Sequence, residues 1–206
     1  MAPSDNTTTI PDTSAQLLSL VNQAREGNRS ALTQLADRFQ QDIFRMVFYR
    51  IRSRVDAEDI TQDVFLKAFQ KISSVKDAAK FRGWLFSIAL NRIRDFQRKK
   101  RFRSLFKNED ENIESHPIEK ADSDQPEALE QVLRKDFWRQ IGLILKKLPT
   151  MEREVFLLRF FDHLSIKEIA GVLKKNESTV KTHLYRALAK FKKEPAMRQL
   201  LNEVNQ

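Results

Sequence analysis

Residues 56–103, DAEDITQDVFLKAFQKISSVKDAAKFRGWLFSIALNRIRDFQRKKRFR, set three different surfaces side by side. Ile60, Val64, Phe65, Ala68, Phe69 and Ile72 recur at helical spacing and predict a helix beginning near Asp56 with one inner face. Asp56, Asp59 and Asp63 share the side roughly opposite. For Asp56 the helix macrodipole is reason enough to sit there. Asp59 and Asp63 are better explained as a docking surface for a basic partner, because electrostatic complementarity sets partner choice and register. After the polar connection Ser73 to Lys80, Phe81, Trp84, Leu85, Phe86 and Ile88 open another helix. Packing of three helices buries at least half of these aromatics. The helix then turns cationic, with Arg92, Arg94, Arg98, Lys99, Lys100, Arg101 and Arg103 against Asp95. Aromatic rings that stack on bases, followed by cations that neutralise phosphates, suit single-stranded or opened nucleic acid. A basic amphipathic membrane helix is the rival, and it is disfavoured because the aliphatic residues that insertion needs are already needed by the core.

Upstream, residues 1–12 (MAPSDNTTTIPD) are polar and proline-bearing and are expected to form a disordered lead-in. A short helix is predicted from Thr13 or Ser14, with Leu17, Leu18 and Val21 on one side and an end near Gly27 and Asn28. Ser30 is the expected N-cap of the next helix. Its buried stripe is Leu32, Leu35, Phe39, Ile43, Met46, Val47 and Ile51.

Downstream, residues 104–128 carry eight Asp and Glu against Lys107 and Lys120, with Pro117 and Pro126 and few apolar anchors. Such a segment is expected to be a flexible acidic linker and the domain boundary. Residues 129–148 are expected to be helical, with Leu133, Phe137, Ile141, Ile144, Leu145 and Leu148 periodic, and Thr150 to cap the following helix. Ser165 with Glu168 forms a capping box for a short helix whose inner face is Ile166, Ile169, Ala170 and Leu173. A polar turn, Lys174 to Glu177, leads to a basic helix from Ser178 or Thr179 with Val180, Leu184, Leu188 and Phe191 inside. Thr179, Lys181, Thr182, Tyr185, Arg186 and Lys190 are left for the outer side. A short helix, a turn and a basic second helix place that second helix in a major groove.

Composition narrows the class. The 206 residues hold 37 Lys+Arg against 28 Asp+Glu, a formal charge of +9, which favours an anionic partner. With 4 Gly, 6 Pro and few alternating β-branched runs, an all-α chain of two small helical domains is expected. Zero Cys excludes disulfides and thiolate metal sites, and 3 scattered His make a metal enzyme a poor reading. No cofactor is expected. No apolar run approaches the roughly 18 residues of a membrane span, so a cytoplasmic protein without membrane insertion is expected.

The stretches DAEDITQDVFLKAF, FRGWLFSIALNRIRDFQRKK and LPTMEREVFLLRFFDHLSIKEIAGVLKKNESTVKTHLYRALAKFKK together resemble the bacterial RNA polymerase sigma factors of the sigma-70 class, in the small extracytoplasmic-function group. The resemblance implies sigma region 2 over residues 13–103 and sigma region 4 over 129–206. It also implies a non-catalytic subunit that binds core RNA polymerase through the β′ clamp helices and β subunit, recognises −10 and −35 elements of promoter DNA and nucleates opening. Asp56, Asp59, Gln62 and Asp63 fall at the polymerase-docking positions. Ser74, Lys76, Lys80, Phe81, Arg82, Trp84, Asn91, Arg94, Arg98 and Lys99 fall where the family reads and opens the −10 element. Ser178, Thr179, Lys181, Thr182, Tyr185, Arg186 and Lys190 fall on or beside the helix that reads the −35 element. The acidic linker is similar to the segment that the family threads through the polymerase. An anti-sigma partner and a monomeric free form are further implications.

The chain departs from the family pattern at two places. Lys174 stands where a turn glycine is common, at a cost on the order of 1 kcal/mol if the backbone there is left-handed. Ser87 and Ile88 replace the tandem Trp pair of housekeeping members. The competing reading is a stand-alone helix-turn-helix regulator, which would need only the C-terminal module and would bind duplex DNA tightly by itself.

Overall fold

The structure, a computed structural model, describes residues 13–106 and 141–194. The expected lead-in 1–12, most of the expected acidic linker 104–128 and the first part of the expected 129–148 helix lie outside the described residues. The elements are α1 (Thr13–Arg25), α2 (Arg29–Ile51), α3 (Arg54–Lys71), α4 (Phe81–Phe106), α5 (141–147), α6 (Thr150–Phe160), α7 (Ile166–Leu173) and α8 (Glu177–Lys193). Two 3-10 turns, Ile72–Ser74 and Ala78–Lys80, join α3 to α4. There is no strand among the described residues, so the chain is all-α.

Helix starts follow local hydrogen bonding more than first apolar residues. Asn28, rather than Ser30, caps α2, its Oδ1 accepting from Ala31 N at 3.2 Å. Ser53 caps α3, which therefore begins two residues before Asp56. Thr150 is the first residue of α6 and no side chain caps that helix; Pro149 precedes it with a fixed φ of −53°. Asn176 caps α8 through Thr179 N at 2.7 Å, so the helix takes in Glu177.

Leu35, Phe39, Ile43, Met46 and Val47 of α2 pack with Ile60, Val64, Phe65 and Ala68 of α3 and with Phe81, Leu85, Phe86, Leu90 and Ile93 of α4. The same cluster continues into the C-terminal module through Val155, Leu158, Leu164, Ile169, Ala170, Leu173, Val180 and Leu184. The two modules thus share one apolar core. A smaller cluster of Ile144, Leu145, Leu148, Phe156, Leu157 and Phe191 ties α5, α6 and α8, with the Phe156 and Phe191 rings stacked at 4.2 Å.

Ionic contacts frame the junction. Arg50, at the end of α2, donates from Nε to Glu154 at 2.9 Å, from Nη2 to Asp162 at 2.8 Å and from Nη1 to Met46 O at 3.0 Å. Its side chain is 4% exposed and that of Asp162 1%. Nearby, Tyr49 meets Phe161 edge to face at 5.0 Å. Arg82, in the first turn of α4, donates to Asp162 O at 2.9 Å, to His163 O at 3.2 Å and to the Glu168 carboxylate at 3.2 Å.

Candidate functional site

The acidic face lies on α3. Asp59, Gln62 and Asp63 are exposed, whereas Asp56 is half-buried over the helix start, its N–H donating to Ser53 Oγ. Asp63 also pairs with Arg92 of α4. One of the three carboxylates assigned to docking therefore also holds α3 against α4, while Asp59 has no such use in the described structure. Val55 and Leu66 bracket the acidic stripe as exposed apolar side chains.

The second surface runs from the α3–α4 connection along α4. Ser74, Lys76 and Lys80 are exposed on the connection, which is fixed locally. Asp77 accepts from Ala79 N at 3.0 Å and pairs with Lys80 at 3.3 Å, and Ser74 Oγ donates to Lys71 O at 2.6 Å. The Ala79 hydrogen bond, with Lys80 adding to it, holds the Asp77 carboxyl below its ordinary range. Asn91, Arg94, Arg98 and Lys99 are exposed farther along α4, and Trp84 is half-buried.

Phe81 is a correction. It is 1% exposed and packs on Phe39 at 5.7 Å, so its ring belongs to the core and cannot meet a base from this position. Phe86 is fully buried as well. Arg82 faces the C-terminal module rather than open solvent, held by α7 and the α6–α7 loop. Sequence periodicity could not separate these residues, because an aromatic at a helix start serves a core and a nucleic-acid face equally well.

The third surface is the α7–α8 pair. Ser165 and Glu168 close the capping box, Ser165 N donating to Glu168 Oε2 at 2.8 Å and Glu168 N to Ser165 Oγ at 3.2 Å. Burial works to raise the Glu168 pKa, but the Ser165 hydrogen bonds and then Arg82 outweigh it and bring it below the ordinary range. Lys174 occupies the left-handed region, φ 52° and ψ 47°, and Lys175 N donates to Ala170 O at 2.9 Å. The turn keeps the geometry that favours glycine while a lysine sits in it. Ser178, Lys181, Thr182, Tyr185 and Arg186 are exposed on α8, and Thr179 is half-buried. Lys190 instead reaches back to Glu152 of α6 at 2.8 Å, where the Glu152 side chain is 8% exposed. Its first use is structural.

The ionic junction was not legible in the sequence. Burial raises the Asp162 pKa and Arg50 lowers it, with burial winning. In keeping with that, Oδ2 takes the Arg50 hydrogen bond while Oδ1 has no partner among the described residues. Burial in turn opposes the Arg50 charge, but Glu154 and Asp162 together hold its pKa above the ordinary arginine value.

Among the described residues, no three His, Asp or Glu side chains converge as a metal site, and no helix is long and apolar enough to cross a membrane. The surfaces described are suited to binding.

Comparison with known proteins agrees with this geometry. Residues 35–103 match the family model of sigma-70 region 2, and residues 138–191 match that of sigma-70 region 4. The ECF RNA polymerase sigma factor BldN of Streptomyces coelicolor is 31% identical over 177 residues, covering 85% of this chain. That match spans 64% of BldN's own length, just under two thirds. The RNA polymerase sigma factor SigV of Bacillus subtilis is 30% identical over 150 residues, 72% of this chain and 81% of SigV. Among solved structures, CnrH in complex with the cytosolic domain of CnrY is 26% identical with a TM-score of 0.61, covering 91% of this chain and 97% of CnrH. RpoE of Bartonella quintana, solved with the anti-sigma factor NepR, shares the fold at 22% identity and a TM-score of 0.57, covering 82% and 96%. With both modules matched in order and SigV covered over most of its length, the chain belongs to the sigma-70 family of RNA polymerase sigma factors, in its extracytoplasmic-function group.

Proposed function

We propose that the chain is a promoter-specificity subunit that docks on core RNA polymerase, reads −35 and −10 elements and nucleates strand opening, with no catalytic chemistry of its own. The observation that carries this reading is the set of three distinct surfaces on one chain: an exposed acidic face on α3, a cationic face on α4 and an exposed polar and basic face on α8. Asp59, Gln62 and Asp63, with Asp56 at the helix start, are assigned to the β′ clamp helices. Ser74, Lys76, Lys80, Trp84, Asn91, Arg94, Arg98 and Lys99 are assigned to the −10 element, with Arg82 available once it leaves α7. Ser178, Thr179, Lys181, Thr182, Tyr185 and Arg186 are assigned to the −35 element, where side chains on a helix in the major groove contact base edges while cations hold phosphates. The functional division is residues 13–103 for polymerase docking and −10 work and 129–206 for −35 work, joined by 104–128. The place of action is the cytoplasm, where polymerase and promoter are. An anti-sigma factor that covers these surfaces is the expected inhibitor, as the pairing of RpoE with NepR suggests by analogy.

In vitro transcription with purified core enzyme tests the proposal. Adding the chain should produce promoter-dependent transcripts from DNA of its own genome. Tight duplex binding by the chain alone, with no transcripts on adding core, would instead support a stand-alone helix-turn-helix regulator.

A further inference from the structure

Arg82 stands apart among the residues assigned to the −10 element. Its hydrogen bonds among the described residues run to the other module, to Asp162 O, His163 O and the Glu168 carboxylate. At 25% and 29% exposure, the Arg82 and Glu168 side chains belong neither to the core nor to the open surface. Gly83, the next residue, faces the same part of α7: a Cβ added there would lie 3.7 Å from Glu168 Cβ. Lys167 of α7 is close enough to the α3–α4 connection for its charge to act on Asp77. Helix α7 therefore covers the start of α4 and flanks the connection before it. Arg50, with Glu154 and Asp162, ties the same two modules but engages no residue assigned to DNA.

This closed arrangement conflicts with the reading of two separated promoter elements. The −35 and −10 positions are about 25 base pairs apart, roughly 85 Å of duplex at about 3.4 Å per pair. Duplex stays stiff over about 150 base pairs, so it does not readily fold back to shorten that distance. With α7 packed on the first turn of α4, and α8 packed on α7, α8 lies within about two interhelical spacings, roughly 20 Å, of that turn. The 26 residues of α4 add about 39 Å at about 1.5 Å each. Together these spans fall short of the promoter.

We propose that the Arg82–Glu168 pair is an autoinhibitory latch: while it holds α7 on the start of α4 the chain cannot read both elements, and a promoter phosphate competes with Glu168 for Arg82 as the modules part. This assignment rests on the proposed sigma activity. Release strands neither group. Arg82 exchanges a carboxylate for a phosphate, an equally suitable partner for its planar fork. Glu168 keeps the Ser165 N–H and hydroxyl of its capping box. Asp59 and Gln62 stay exposed in the closed chain, so the latch leaves the assigned docking face open.

The chain has no cysteine, so Gly83→Cys with Glu168→Cys introduces a single pair, and a Cβ separation of 3.7 Å lies within disulfide range. The full-length double variant is oxidised, freed of oxidant and added to core polymerase with promoter DNA of its own genome. The locked chain should give no promoter-dependent transcripts, and dithiothreitol should restore them. Glu168→Gln is the second variant, because glutamine keeps the capping box and loses the charge that Arg82 pairs with. Closure should weaken roughly 3- to 10-fold, between the values for an exposed pair and a fully charge-assisted hydrogen bond, and transcript yield at limiting chain should rise accordingly. Failure of the disulfide to form in the free chain, transcripts from the locked chain at the reduced level, or a Glu168→Gln yield at or below wild type overturns the latch and leaves the sigma reading intact. Absence of transcripts from the wild-type chain would instead sink the sigma reading.

Discussion

Replacing Arg50 with Met is the most informative single change to the fold. The guanidinium joins α2 to α6 and to the α6–α7 loop, with both carboxylates at 2.8 Å. At 4% exposure for Arg50 and 1% for Asp162, water cannot take over when a partner is lost. Removing one member of a buried pair leaves an uncompensated charge and costs about 3–5 kcal/mol. The effect therefore belongs to the large class reserved for buried networks rather than to the small class of surface ion pairs. At roughly 2–4 °C per kcal/mol for a chain of this size, the midpoint of thermal unfolding should fall by roughly 6–20 °C. Urea unfolding, followed by circular dichroism and by Trp fluorescence, gives the free energy directly. The mechanism makes a second demand. If the loss comes from the orphaned Asp162 carboxylate, then Arg50→Met with Asp162→Asn should recover a good part of it, because the most deeply buried charge is then gone and the remaining partner, Glu154, is 17% exposed. A loss below about 1 kcal/mol, or a double variant less stable than the single one, would refute the reasoning.

Further outcomes follow from features already described. Asp59→Ala with Asp63→Ala should weaken binding to core polymerase and slow its association, most at low salt, while the DNA affinity of the α6–α8 face stays unchanged; surface plasmon resonance at two ionic strengths checks both. Arg186→Ala should cost about 1–3 kcal/mol in −35 binding and relax specificity, whereas Lys190→Ala should lower stability through Glu152 with little change in specificity, as band-shift and urea titrations of both variants would show. The lowered Glu168 pKa means that its contribution is fully present above its ordinary value of 4.5 and is lost as pH falls through the folded value. Glu168→Gln should therefore flatten the stability profile on the acid side of 4.5. The raised Asp162 pKa acts in the opposite sense, favouring the folded state as pH falls, so Asp162→Asn should leave a steeper acid loss.

What the sequence revealed divides along the range of the interactions. The capping box at Ser165 and Glu168 joins residues three apart, and the buried stripe from Leu35 to Val47 repeats every turn, so both were legible from spacing alone. Helix starts slipped by a few residues because Asn28, Ser53 and Asn176 compete as caps with neighbours of equal propensity. The division of α4 into buried Phe81 and Phe86 and exposed Phe102 depends on which side the rest of the chain covers, and periodicity fixes relative faces only. The Arg50, Glu154 and Asp162 cluster joins residues more than a hundred positions apart and left no local trace. Arg82 illustrates the same point, since its place in the sequence suited DNA and its partners lie on α7 and the loop before it.

The apolar cluster that runs from α2, α3 and α4 into α6, α7 and α8 sets a population as well as a shape. A separated arrangement of the two modules, in the free chain, is a minor state whose occupancy is fixed by the free energy of that junction. Any partner that requires the modules apart binds with its intrinsic affinity diminished by that occupancy, and any partner that fits the closed arrangement bears no such reduction. Weakening the junction should thus tighten apparent binding to the first kind of partner and loosen it to the second. The same six helices that stabilise the free protein also rank its partners.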